Sequence, residues 1–131
     1  MLTLKKNLGR CLLLFVSLIQ VVFLQASDRY WVGGTGAWNN SSHWSDSDAG
    51  KGGASIPTLN DDVFFTQHSF SADKQTVMIT ANAACRSIDW SAIDDRTIFS
   101  SASRCSLIVN GSYTLSPLLW NGFKGQTIFT S

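Results

Sequence analysis

From Asp62 onward the chain never sustains an apolar run beyond about six residues before Gly, Ser, Asn or Asp interrupts it. The candidate strands are Val63–Phe65, Gln75–Thr80, Ser87–Trp90, Thr97–Ser100, Leu107–Asn110, Tyr113–Leu115, Leu119–Phe123 and Thr127–Thr130. Within Gln75–Thr80 the residues alternate, placing Val77 and Ile79 on one face. The segment ANAAC (residues 81–85) reads as a break. Elements this short cannot form a helical bundle or a doubly wound sheet. They lead to an all-β sandwich, barrel or solenoid. The nine acidic residues are all Asp, a turn and cap residue, and no Glu is present to favour exposed helix faces.

Spacing adds a weak periodicity. Cys85-Arg86-Ser87-Ile88 and Cys105-Ser106-Leu107-Ile108 lie twenty residues apart, and Gly125-Gln126-Thr127-Ile128 continues the series. A period near twenty fits stacked coils of a parallel β-solenoid; an antiparallel β-sandwich of similar short strands is the alternative.

Upstream of these strands, Tyr30–Phe65 holds three tryptophans, Trp31, Trp38 and Trp44, among glycine, serine, asparagine and aspartate. The composition is that of turns. A long loop in a compact domain needs anchors, and each indole can bury about 150–250 Å². Trp31, Trp38 and Trp44 are thus the anchors of a cap over the first strand. Their other use is as ligand-facing aromatics of a sugar-stacking platform, together with Tyr30, Trp90 and Trp120.

The amino terminus carries an export signature. Lys5, Lys6 and Arg10 precede the apolar run Cys11–Leu24, and Ala26 is the small residue expected before a cleavage point. Fourteen helical residues reach roughly 21 Å, short of the ~30 Å hydrocarbon core, so a cleaved signal is favoured over a membrane anchor. The expected divisions are a signal peptide at 1–26, a Trp/Gly-rich cap at 27–62 and strand-bearing coils at 63–131. Loss of the signal leaves seven Lys and Arg against nine Asp, about −2. Without a basic stripe the chain is a poor nucleic-acid binder. Contact with a membrane is expected only through the signal segment during export.

Cys85 and Cys105 remain after cleavage; in an oxidising compartment they form a disulfide or persist as two buried thiols. Catalytic signals are weak. Asp61-Asp62 and Asp94-Asp95 are adjacent, and neighbouring strand residues face opposite ways, so both pairs read as turns before strands. His43 and His68 lack metal-ligand spacing, and Gly33–Gly36 and Gly50–Gly53 match no phosphate loop. No catalytic residue, metal or cofactor is expected.

The arrangement YWVGGTGAWNNSSHWS, a Gly/Ser-rich spacer, then IPTLNDDVFF resembles the N-terminal β-helical module of large exported Bacteroidetes-type surface proteins. Those are gliding-associated proteins with type IX secretion, and related autotransporter-like proteins. The segments AACRSIDWS, SLIVNGSYTLS and LLWNGFKGQTIFTS are similar to the repeated coils that follow in them. The resemblance covers nearly all of the chain beyond the signal. It implies the start of a right-handed β-helix, an exported or cell-surface location, and a structural or adhesive role toward surface glycans or other surface proteins. The expected alternative is a carbohydrate-binding module using exposed tryptophans. Such proteins run much longer, so the resemblance also implies an amino-terminal piece of a larger polypeptide.

Overall fold

The computed structural model describes residues 25–130. The signal-peptide segment expected at 1–26 therefore lies outside the described residues, apart from Gln25 and Ala26. The architecture is all-β, with one short 3-10 turn at Ser41–His43.

Three strands belong to the cap: β1 (Asp28–Trp31), β2 (Gly36–Ala37) and β3 (Trp44–Ser45). The remainder are β4 (Asp62–Thr66), β5 (Gln75–Ile79), β6 (Ala83–Cys85), β7 (Ile88–Ala92), β8 (Thr97–Ser101), β9 (Ser106–Val109), β10 (Tyr113–Thr114), β11 (Leu119–Gly122) and β12 (Gln126–Phe129). From β4 onward, successive strands go to the first, second and third sheet in rotation. The sheets are ordered β10-β7-β4-β1-β3, β11-β8-β5-β2 and β12-β9-β6. One circuit thus comprises β4–β6, the next β7–β9 and the last described β10–β12.

Every pairing among β4–β12 is parallel. The antiparallel sandwich alternative requires the opposite and is not what these strands form. The antiparallel ladder described is β1 with β3, within the cap, where Trp31 faces Trp44. The register also corrects the twenty-residue series. Ile88 in β7 aligns with Val63, whereas Ile108 in β9 aligns with Ala84, so the Cys85 and Cys105 segments are not equivalents. Ser106–Ile108 and Gln126–Ile128 do align, so the second step of the series holds. The first sheet repeats at 25 residues, Val63 to Ile88 to Tyr113, and the second at 22, Gln75 to Thr97 to Leu119.

Strand alternation sends one face inward. Val63 and Phe65, Val77 and Ile79, Ala83 and Cys85, Ile88 and Trp90, and Leu107 and Val109 are buried, with partly exposed residues between them. Parallel pairing stacks these side chains in columns. Phe65 lies on Trp90 with ring centroids 3.6 Å apart and planes 5° off parallel. Thr97 is the buried polar member, and its hydroxyl donates to the Asp95 carbonyl at 3.1 Å.

Polar side chains join one circuit to the next at the corners. Asn82 Oδ1 accepts from Ser106 N, Ser87 Oγ from Ser112 N, and Ser101 Oγ from Gly125 N. Two ion pairs span neighbouring circuits. Arg86 holds Asp62 through Nε at 2.8 Å and through Nη2, and Arg96 holds Asp73 through Nη2 at 2.8 Å. The Arg86 hydrogen bonds hold Asp62 below the usual carboxylate range, and those of Arg96 do the same for Asp73.

A carboxyl whose folded pKa is depressed stabilises the fold above its unfolded value, about 3.9, and loses that contribution as pH falls through the folded value. Stability is therefore expected to hold from neutrality to about pH 4 and to fall below it. Urea midpoints across this range test it. Asp62→Asn should lower the midpoint at pH 7 and match the wild type at the acid end. An equal offset at both ends would show that the ion pair is not the cause.

Candidate functional site

Residues 28–61 close one end of the stacked circuits. Gly33 and Gly34 take positive φ of 85° and 71°, turning the chain so that the Gly34 carbonyl accepts from Trp31 Nε1 at 2.7 Å. Gly36 lies against the His43 ring; a Cβ there would sit 2.0 Å from His43 Nε2. His43 stacks on Trp31 at 4.6 Å, and its Nδ1–H donates to the Val32 carbonyl at 2.7 Å. Trp44 meets Trp31 and Trp38 edge-on, at 5.1 and 4.9 Å, and donates from Nε1 to the Trp38 carbonyl at 2.6 Å.

Trp31, Trp38 and Trp44 are 1%, 1% and 0% exposed. This corrects their reading as ligand-facing aromatics: indoles packed on one another and on Phe65 have no face left for a ligand. They are the anchors of the cap. Trp90 is equally buried, whereas Trp120 is 70% exposed.

Cys85 and Cys105 are both buried free thiols, not a disulfide. Register explains why. Cys85 is aligned with Val109, four residues beyond Cys105, so extended chain puts the two roughly 13 Å apart along the strand. A bridge needs Cα atoms within about 7 Å. Burial, with a smaller effect of Asp62, pushes the Cys85 thiol up to about 12, so it is no nucleophile at neutral pH.

Asp48, Asp61, Asp62 and His68 have side-chain partners within the fold. Asp61 is buried and Asp62 faces Arg86, so the adjacent acids point into different environments. Asp94 is exposed and Asp95 partly so, at the corner before β8. His68 Nδ1 lies 2.9 Å from Asp48 Oδ2, and Thr66 Oγ1 donates to the other Asp48 oxygen at 2.5 Å. The Thr66 and His68 contacts hold Asp48 below its ordinary value. This triplet ties the cap loop to the end of β4; Asp48 and His68 are exposed, Thr66 is half-buried, and none of the three lines a described cavity. Among the described residues, no three His, Cys, Asp or Glu gather as a metal-binding group.

Among the described residues, the opposite end of the stack is uncovered. A depression of about 320 Å³ is lined by Tyr113, Leu115, Asn121, Thr127 and Phe129. Phe129 aligns with the fully buried Val109, and Thr127 with Leu107, so these are core positions of the last described circuit, with nothing stacked above them among the described residues. Leu115 and Phe129 are each 60% exposed for that reason. A second groove, about 410 Å³, runs along the outside beside Trp120, between Lys74, Arg96, Pro117 and Leu119. Sequence reasoning did not separate these two surfaces, because telling an inward from an outward aromatic requires the strand register.

No family model, curated protein or solved structure matches this chain. Among the described residues, no helix is long and apolar enough to cross a membrane.

Proposed function

We propose that the chain is the capped beginning of a parallel β-solenoid that serves outside the cytoplasm as a non-catalytic structural or adhesive module. The observation that carries this reading is the rotation of nine consecutive strands through three sheets, with each strand parallel to the one three places on. A tryptophan-filled cap closes one end, and core positions lie open at the other. Solenoids are built this way, each unit burying its apolar face on its neighbour. The engagement of Asp48, Asp61, Asp62, His43 and His68 in local contacts supports the non-catalytic part. The amino-terminal signature and the resemblance to exported β-helical modules support the location.

The test is fractionation of a Gram-negative host expressing the full chain, followed by protease treatment of intact cells. Protein in the medium or removed from the surface is expected; retention in the cytoplasm overturns the reading. A second reading, glycan binding, is favoured by the exposed Trp120 indole beside its groove. A saturable fluorescence shift with a glycan panel, abolished in Trp120→Ala, would select it over a purely structural role.

A further inference from the structure

Asp61 is 5% exposed, yet its hydrogen-bond donors are all uncharged. Thr58 gives its backbone N–H at 2.8 Å and its hydroxyl at 3.0 Å to Oδ2, and Ser27 gives its backbone N–H at 3.2 Å to Oδ1. The ion pairs among the described residues are Arg29–Asp46, His68–Asp48, Arg86–Asp62 and Arg96–Asp73, and none includes Asp61. The cations nearest it, Arg29 and Arg86, are hydrogen-bonded to Asp46 and Asp62, so Asp61 is buried with no cation in direct contact, which is costly. Ser27 is meanwhile held on its other side, where its carbonyl accepts from Asp62 N at 3.0 Å.

A second observation meets the first at the same residue. Gln25 and Ala26 are exposed, Ser27 is half-buried, and β1 begins at Asp28, so the chain enters the fold between Ala26 and Ser27. That is the bond the export signature marks for cleavage. A cavity of about 340 Å³ lies beside it, lined by Ser27, Arg29, Ser55, Thr58, Asn60 and Asp61 among others.

We propose that Asp61 is the receptor for the α-ammonium created when the Ala26–Ser27 bond is cut during export. The proposal rests on the cleaved-signal reading. A membrane endopeptidase of the export route adds water across that amide. Ala26 leaves with the new carboxylate, and the Ser27 amine takes up a proton at neutral pH. The neutral N–H donor to Asp61 thereby becomes a charged one, converting an ordinary hydrogen bond into a charge-assisted ion pair. Maturation and completion of the cap are then one event: in the precursor neutral donors alone contact the buried acid, and in the processed protein one of them carries a charge.

The experiment exports the full chain and reads the intact mass of the product. A mass beginning at Ser27 is expected; any other start, or none, overturns the processing step. The receptor is read separately, by the acylation rate of the terminal amine near neutral pH. The comparison is the wild type, Asp61→Asn, and a variant with one glycine inserted after Ala26, whose start is fixed by its mass. Pairing should raise the amine by about one pKa unit above its ordinary 7.7–8.0 and slow acylation about tenfold. Asp61→Asn and the glycine insertion should each restore the fast rate. If Asp61→Asn does not fold, the insertion alone decides. Equal rates in wild type and insertion overturn the receptor even where the mass shows the Ser27 start.

Discussion

Trp44→Ala is expected to destabilise the fold by about 3–5 kcal/mol, a large share of the roughly 5–15 kcal/mol of a typical domain. Trp44 is fully buried at the junction of Trp31, Trp38 and Phe65, so truncation removes contacts to all three and leaves a cavity they cannot fill. Urea unfolding followed by near-ultraviolet circular dichroism measures the effect, and a change below about 1 kcal/mol would contradict it. A finer comparison isolates the polar part. Trp44→Phe loses the hydrogen bond to the Trp38 carbonyl, whereas Trp38→Phe removes an indole N–H that has no partner among the described residues. Trp44→Phe should therefore cost about 1 kcal/mol more.

The second large effect is a contrast between two positions in one column. Val109 and Phe129 are aligned on β9 and β12. Val109 is fully buried, so Val109→Asp places an unpaired charge in the core, at a cost of about 3–5 kcal/mol. Phe129 holds the same inward position one circuit later, but 60% of it is exposed. Phe129→Asp should remain within about 1 kcal/mol of the wild type, since the carboxylate keeps its water. Equal damage at both positions would mean that the open end is covered. The same pair of substitutions in a longer chain, with further circuits stacked on β12, should become equally damaging.

The strands were legible because their alternation is local. Val77 and Ile79 announce a buried face by spacing alone, and Val63–Phe65 announces a strand by its apolar run without saying which residues point inward. Ala83–Cys85 did not, since small residues carry little β signal, yet β6 is needed for the third sheet. Two-residue ladders such as Gly36–Ala37 and Trp44–Ser45 fall below any periodicity test; tertiary pairing alone makes them strands. The cap role of the tryptophans was readable from their density among turn residues. Their complete burial was not, because it depends on which rings meet. Register was the main thing hidden. The twenty-residue similarity around Cys85 and Cys105 came from chain segments in different parts of the circuit, and of the two alternatives for these cysteines, a bridge or buried thiols, the structure holds the second. Asp61 read as an ordinary turn residue, and its contact with Ser27 spans 34 positions that no local pattern connects.

The corners of the circuits are unequal. Between β4 and β5 the chain takes eight residues, 67–74, whereas the equivalent corners before β8 and β11 take four each, 93–96 and 115–118. On the far side the strands keep an unbroken parallel register from β5 through β8 to β11, whereas on the near side the register of β4 with β7 shifts between Phe64 and Thr66. The longer corner sends Ser69 and Phe70 inward, with Phe70 stacked on Phe65 at 6.3 Å, and its remaining length lies at the surface, so insertions that leave these anchors in place need not disturb the columns within. Loops at those corners can be lengthened, recharged or exchanged while the stack beneath stays the same. In a lineage of such chains, variation in what the surface meets would concentrate at the corners, and the inward columns would change slowly.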